Sequence, residues 1–457
     1  MELEGRRVLV VGLGRSGLAA VRFLARAGAE VWATDIQPAS QLKAQTASLN
    51  DLEIKFFLGG HPKEAFTASE MIVISPGVPL DLPSLTAARS RGVEIIGEMG
   101  LAAAFLDKPL IAISGTNGKS TTTALTAAML EASGRAVFVG GNIGRPLTDC
   151  LLFEPEAELA VVEVSSFQLE AMPYFRPQVG VVVNLSPDHL NRHPDFDSYA
   201  RLKARLWADM GPEDDLVLNG NDERLLSLAN GAQARRHLFS LTQPSKTRPG
   251  AYHLKEGGAW LRDAGGRELR VDTSGFKLPG EHNRENLLAA LLAAWLAGAD
   301  KADLEAGLAA FKGLPHRLQW VARLKKVDYY DDSKATNVAS AARSVGAFRR
   351  RIILIAGGVD KGGGYAALAQ AGWDSLKAAV LIGQAAEEMA QALEGICPVH
   401  RSDDLKSAVR MSRCLAAAGD VVLLAPACAS FDQFKDYVHR GEVFAQAVKE
   451  LEANGCG

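Results

Sequence analysis

Runs of consecutive apolar residues alternate along the first ninety-odd positions with stretches in which apolar residues recur every three or four places. RVLVVG (Arg7 to Gly12), EVWATD (Glu30 to Asp35) and MIVISPG (Met71 to Gly77) read as buried strands, and SGLAAVRFLARAG (Ser16 to Gly28) reads as an amphipathic helix. Continuous Val/Ile/Leu runs separated by helical periods predict parallel βαβ units, because such strands are covered on both faces. The pattern resumes at PLIAIS, AVFVGG, LAVVEVSS, VGVVVNLS and DLVLNGND, and again at VDYYDDSK, RIILIAGG, AAVLIG and DVVLLAPACAS. Each run ends on polar residues. In an open parallel sheet the carboxyl ends of the strands form the ligand crevice, so Ser114, Asn142, Glu163, Asn184 and Asn219 are expected on one rim. Short polar-glycine turns in AYHLKEGGAWLRDAGGRELRVD predict a small antiparallel insert. The chain therefore reads as α/β with three domains: a Rossmann-like domain over 1–97, a P-loop ATPase-type domain with a mostly parallel sheet over 98–313, and a second Rossmann-like domain over 314–457.

Composition narrows the chemistry. The 457 residues are 47% hydrophobic and 23% charged, enough for several cores. A net charge of -3 argues against a nucleic-acid surface. Five cysteines, odd in number and without CxxC spacing, fit a reducing cytoplasm rather than zinc or a redox pair. The strand beginning at Arg7 leaves no room for a signal peptide, and the apolar run Leu287 to Ala299 is too short to span a bilayer. A cytoplasmic monomer acting on small molecules is expected, with neither nucleic acid nor membrane as partner.

Two glycine loops carry the candidate chemistry. GLGRSG (Gly12 to Gly17) lies between a strand and a helix, with Asp35 ending the next strand, as in a dinucleotide-binding fingerprint. It reads as a nucleotide site or as a glycine turn needed only for packing. GTNGKS (Gly115 to Ser120) also joins strand to helix: its glycines admit phosphate to the backbone, Lys119 supplies charge and Ser120 can reach magnesium. The following helix is expected to open at Thr121 to Thr123 and to end at Gly134 in a left-handed cap. Glu163 stands where an acidic magnesium ligand would, with Asp188 and His189 beyond the next strand, although strand-end acids also serve as turn residues and a lone histidine is commonly structural. By spacing alone Asn283 and Asn286 read as the polar entry to an apolar helix, and Lys203 as a solvated helix face. DDSKATN, GGVDKGGG and PACASFDQFKDY read either as an anion site at strand ends or as solvated turns.

Taken together, GTNGKS, GGNIG, EVSSFQLE, NLSPDHLNRH, EHNRENLLAA, LPHR and DDSKATN resemble the Mur ligases of bacterial peptidoglycan synthesis, and the correspondence covers the whole chain. DDSKATN and PACASFDQFKDYVHRG point to the branch that adds D-glutamate. The resemblance implies an ATP-dependent amide ligase: ATP phosphorylates the carboxylate of UDP-N-acetylmuramoyl-L-alanine, and the amine of D-glutamate displaces phosphate from the acyl phosphate. It implies ATP contacts from Gly115, Thr116, Asn117, Gly118, Lys119, Ser120, Thr121, Asn283, Asn286, Arg317, Asp332 and Lys334. It also implies magnesium, expected as two ions, around Ser120, Glu163, His189 and a carbamylated Lys203; Lys119, His189 and Lys203 would serve catalysis. Gly14, Arg15, Ser16, Asp35, Gly77, Asn142, Ser165 and His189 match positions that hold the UDP-sugar, and Lys334, Thr336, Lys361, Ser430 and Tyr437 match positions around D-glutamate. Two departures stand out. Ile36 and Gln37 follow Asp35 where better-known members carry a Thr-Arg pair that touches uridine, and Tyr437 replaces a frequent phenylalanine. A nicotinamide oxidoreductase built on GLGRSG, or a nucleotide switch built on GTNGKS, would explain one loop each.

Overall fold

The computed structural model describes residues 1–457 except 189–191, 243–247, 255–256, 361, 363 and 454–457. The described strands form three sheets. In the first, Ile54–Leu58, Glu30–Asp35, Arg7–Val11, Met71–Ile74 and Glu94–Gly97 lie side by side in that order, all parallel. Strand order reverses between Arg7–Val11 and Met71–Ile74, and Gly12 and Ser75 follow their carboxyl ends. That reversal is the crevice-forming point of an open α/β sheet. Two apolar clusters cover its faces, one around Val8, Val10 and Leu24 and the other around Leu9, Val11 and Phe66.

The second sheet has nine strands, with Leu110–Ser114 between Val179–Val182 and Leu159–Glu163, all parallel. Leu110–Ser114, Leu159–Glu163, Val179–Val182 and Asp215–Asn219 in its interior are buried along their whole length, which is why they read as unbroken apolar runs. The helix Glu281–Leu296 packs on one face, with Leu287 to Ala294 all buried, and so has no polar side along that stretch. The predicted antiparallel insert is present as Gly250–His253, Ala259–Arg262 and Glu268–Val271. It is not separate: its first strand pairs in parallel with Arg235–Ser240, so the insert extends the sheet edge. The third sheet is parallel from Val327–Asp331 through Val421–Leu424, Ile352–Gly357 and Leu376–Ile382 to Val399–Arg401, with Gln319–Leu324 antiparallel at its rim.

The chain divides into two compact units. One holds Met1–Phe276 with Arg284–Phe311, and therefore both of the first two sheets; the other holds Lys277–Asn283 with Lys312–Gly457. Among the described residues no helix is long and apolar enough to cross a membrane. The helix after GTNGKS runs Lys119–Ala132, starting two residues before the expected threonines, and Gly134 just past it has φ +79°, as a left-handed cap requires.

Candidate active site

The phosphate-type loop is built by backbone geometry. Gly118 has φ +85° at the N-cap of Lys119–Ala132, and a Cβ there would collide with Asn286 Oδ1. Asn286, in the second turn of Glu281–Leu296, is thereby brought against the loop, whereas Asn283 donates to the Pro279 carbonyl at 2.7 Å. Since that helix begins at Glu281, neither asparagine caps it. Thr116 Oγ1 reaches the Ser186 carbonyl and the Tyr199 hydroxyl, each at 3.1 Å, and the Asn117 and Asn184 amides bond across to each other's segment at 2.9 and 3.0 Å. Lys119 Nζ donates to the carbonyls of Gly115 (3.1 Å) and Thr116 (2.8 Å), folding back over its own loop. Thr121 is buried behind it.

The expected polar rim is hydrogen-bonded at each strand end. Ser120 Oγ donates to Glu163 Oε2, and Asn142 Nδ2 donates to Glu163 Oε1 at 2.6 Å. Ser114 Oγ gives its proton to the Val164 carbonyl (2.8 Å) and accepts from Lys203 Nζ at 3.1 Å. Lys203 is not solvated: it is 1% exposed. Burial pushes its ammonium well below the ordinary lysine range, the nearby Lys119 charge pushes the same way, and Glu163 opposes them. Asn219 donates to the Val183 carbonyl on the same rim. His189 lies outside the described residues.

Beside this rim, in the same compact unit, is a cleft of about 420 Å³. Gly14, Arg15, Ser16, Asp35, Gly77 and Asn142 all line it. Gly17 closes the helix onto the strand, since a Cβ there would collide with the Gly12 carbonyl. Arg15 donates across the cleft to the Gly144 carbonyl at 3.1 Å. Ser165 is not among the lining residues. Its hydroxyl caps the short helix Ser166–Leu169 in a capping box with Gln168, and Gln168 is the side chain that reaches the cleft.

In the other unit, Asp332 is buried and accepts from Leu318 N (3.2 Å) and Ser344 Oγ; burial raises its pKa to about 6, opposed by those bonds and by the Arg317 charge. Lys334 Nζ sits 3.8 Å over the Tyr437 ring, a cation–π contact, and His316 meets that ring edge-on at 6.3 Å. The Thr336 amide donates to the Lys334 carbonyl, and Ser430 is buried in the turn after Val421–Leu424. Lys361 lies outside the described residues. The sequence reading missed Arg440. Only 1% exposed, it donates to Ser333 Oγ (3.0 Å), Ser333 O (2.9 Å) and Cys428 O (3.2 Å), tying DDSKATN to PACAS. Nothing in YVHRG signals this, because its partners, the Ser333 hydroxyl and carbonyl and the Cys428 carbonyl, lie outside that segment.

The chain matches the Mur ligase MurD-like N-terminal domain over residues 6–97, the Mur ligase middle domain over 113–294 and the Mur ligase glutamate ligase domain over 316–428. It is 42% identical to the UDP-N-acetylmuramoylalanine–D-glutamate ligase of Geotalea daltonii across 100% of both chains. It is 45% identical to the protein of that name from Anaeromyxobacter dehalogenans across 98% of both. Among solved structures, the MurF ligase of Thermotoga maritima in complex with ADP shares the fold with a TM-score of 0.60, at 16% identity, covering 99% of this chain and 97% of that one.

Proposed function

This chain belongs to the Mur ligase family, and from that membership we propose that it is an ATP-dependent ligase joining D-glutamate to UDP-N-acetylmuramoyl-L-alanine. The observation that carries the reading is the double role of Asn142. It lines the glycine-loop cleft and also bonds the Glu163 carboxylate that holds Ser120 of the Gly-Lys-Ser loop. One unit thus offers two nucleotide-type loops that share a residue. A nicotinamide oxidoreductase or a nucleotide switch needs only one of them.

In this reading the muramoyl-alanine carboxylate attacks the γ-phosphorus of ATP. The new O–P bond forms as the β,γ-bridging bond breaks, releasing ADP, and the D-glutamate amine then attacks the acyl carbon, loses a proton and expels phosphate. Phosphorylation is needed because oxide is a poor leaving group and phosphate a good one. Lys119 leaves its carbonyl partners for the incoming phosphates and neutralises charge as two anions meet. Gly115 to Ser120 cradle ATP with Thr121 and Asn286, the family resemblance assigns Asn283, Arg317, Asp332 and Lys334 to ATP as well, and the cleft residues hold the UDP-sugar. Lys334, Thr336, Lys361 and Ser430 take the D-glutamate carboxylates, and Tyr437 packs beside them.

Ser120 and Glu163 present hard oxygen donors side by side, which fits magnesium, an ion that usually takes one or two carboxylates and fills its sphere with phosphate oxygens and water. When bound it supplies charge neutralisation of the phosphates. Burial of the ammonium favours the neutral amine at Lys203, the form that adds carbon dioxide to give a carbamate, so we assign Lys203 as carbamylated and facing two such ions. The domains run 1–97, 98–313 and 314–457, and the enzyme works as a cytoplasmic monomer. The decisive experiment measures phosphate release from ATP with UDP-N-acetylmuramoyl-L-alanine and a panel of amino acids. Release requiring D-glutamate, with a product heavier by one glutamyl residue, supports the reading; release with another amino acid keeps the family and overturns the substrate.

A further inference from the structure

The cleft on the first sheet contains two side chains that the glycine loop does not explain. His61, in the turn after Ile54–Leu58, and Ile36, just past Glu30–Asp35, both line it. Ile36 is 71% exposed, an apolar surface turned to solvent at the mouth of a ligand cleft. Asp35 is already engaged: Oδ2 accepts from Leu13 N at 2.7 Å and Oδ1 from Gln37 N at 2.9 Å, so it ties the glycine loop to the strand end.

A chain of hydrogen bonds fixes where His61 carries its proton. Thr34 Oγ1 stands 2.9 Å from the Gly60 carbonyl, which can only accept, and the arrangement that satisfies both of its contacts sends the hydroxyl proton there. The same Oγ1 lies 3.1 Å from His61 Nδ1, and with its proton committed it can only accept from that nitrogen. Nδ1 therefore bears the hydrogen, and in the neutral ring Nε2 presents a lone pair. Burial holds the His61 pKa below the ordinary histidine value, against the opposing pull of Asp35, and so favours the neutral ring. The ring is steadied by an edge-on contact with Phe66 at 5.9 Å.

We propose that His61 Nε2 accepts the N3–H of uracil while Ile36 covers a face of the base, so that this pair selects uridine over cytidine in the nucleotide-sugar. The proposal rests on reading the cleft as the UDP-sugar site. Its logic is a single atom: N3 of uracil is a donor between two carbonyl acceptors, whereas N3 of cytosine is itself an acceptor. A fixed acceptor pairs with the first and meets a lone pair on the second. Thr34 is then a positioning residue, because its hydroxyl sets the tautomer.

Calorimetric titration of the full chain with UDP, CDP and N3-methyl-UDP tests this, using wild type, His61→Phe and Thr34→Val, with magnesium-ATP binding as the control for intact folding. Wild type is expected to prefer UDP over CDP. His61→Phe, which keeps a ring against Phe66, should lose about tenfold for UDP and little for CDP, the scale of one lost hydrogen bond. N3-methyl-UDP should bind wild type about tenfold more weakly than UDP and lose nothing further in His61→Phe. Thr34→Val should narrow the UDP to CDP ratio while leaving the ring in place. Equal losses for UDP and CDP in His61→Phe, or an unchanged ratio, would overturn the assignment while leaving the UDP-sugar reading intact. A wild-type protein that binds magnesium-ATP but neither UDP nor CDP overturns that reading itself.

Discussion

Among the described residues Lys203 Nζ has one hydrogen-bond partner, Ser114 Oγ, and it lies close to a second cation, Lys119. Burial of an amine so placed favours loss of its proton on folding. Since the folded value is depressed, the unfolded chain binds a proton that the folded chain does not, and stability falls as pH drops below the ordinary lysine value of 10.5. Lys203→Met should therefore raise the denaturation midpoint at pH 7 in carbon dioxide-free buffer, with a smaller gain at pH 9.5, while lowering turnover by roughly 100-fold or more. Added bicarbonate should stabilise and activate wild type but leave the methionine variant unmoved; equal bicarbonate responses would rule out the carbamate. The residue was legible only through resemblance. YARLKARLW carries charges at helical spacing like any solvated face, and burial of one of them depends on what the fold lays against it.

Among elements, the phosphate-type loop was the most legible, because a strand, two glycines, Gly-Lys-Ser and a helix make a self-contained geometric demand. Gly118 shows how tight it is. Gly118→Ala would place a side chain in the left-handed region, costing about 1–2 kcal/mol, and would push Asn286 aside. The expected result is weaker ATP binding with little change in UDP binding, read by titrating each nucleotide separately. The strands that lacked a sequence signal are mostly sheet rims: Ile54–Leu58, Glu94–Gly97, Gln319–Leu324 and Val399–Arg401 stand at edges and are only partly buried, so they show no unbroken apolar run. Arg440 in Tyr437–Ala453 was equally silent, since a buried guanidinium answering backbone carbonyls leaves no pattern. Arg440→Met should orphan the Ser333 and Cys428 carbonyls, costing about 2–4 kcal/mol, and should raise the KM for D-glutamate more than that for ATP. Equal rises would mean a general loss of structure.

At the scale of the molecule, three sheets and their strand-end rims could be read from alternating runs, but the pH response could not, because it depends on which carboxyls the packing seals off. Glu98 is the clearest such group. It opens the short helix after Glu94–Gly97, and its Oε1 accepts from the amide (2.8 Å) and hydroxyl (2.9 Å) of Thr148, which starts the helix Thr148–Phe153. Its Oε2 is buried without a hydrogen-bond partner. Burial raises the pKa from 4.5 to about 7, against the Thr148 bonds. With the folded value raised, the folded chain keeps a proton between those pH values that the unfolded chain has lost, so stability falls as pH rises through that window, by up to about 3 kcal/mol. Glutamine keeps an oxygen for Thr148 and carries no charge. Glu98→Gln should therefore unfold like wild type near pH 4.5 and at higher urea above pH 7. If the two midpoints keep a constant gap from pH 4.5 to 8, the destabilising charge in this unit lies elsewhere.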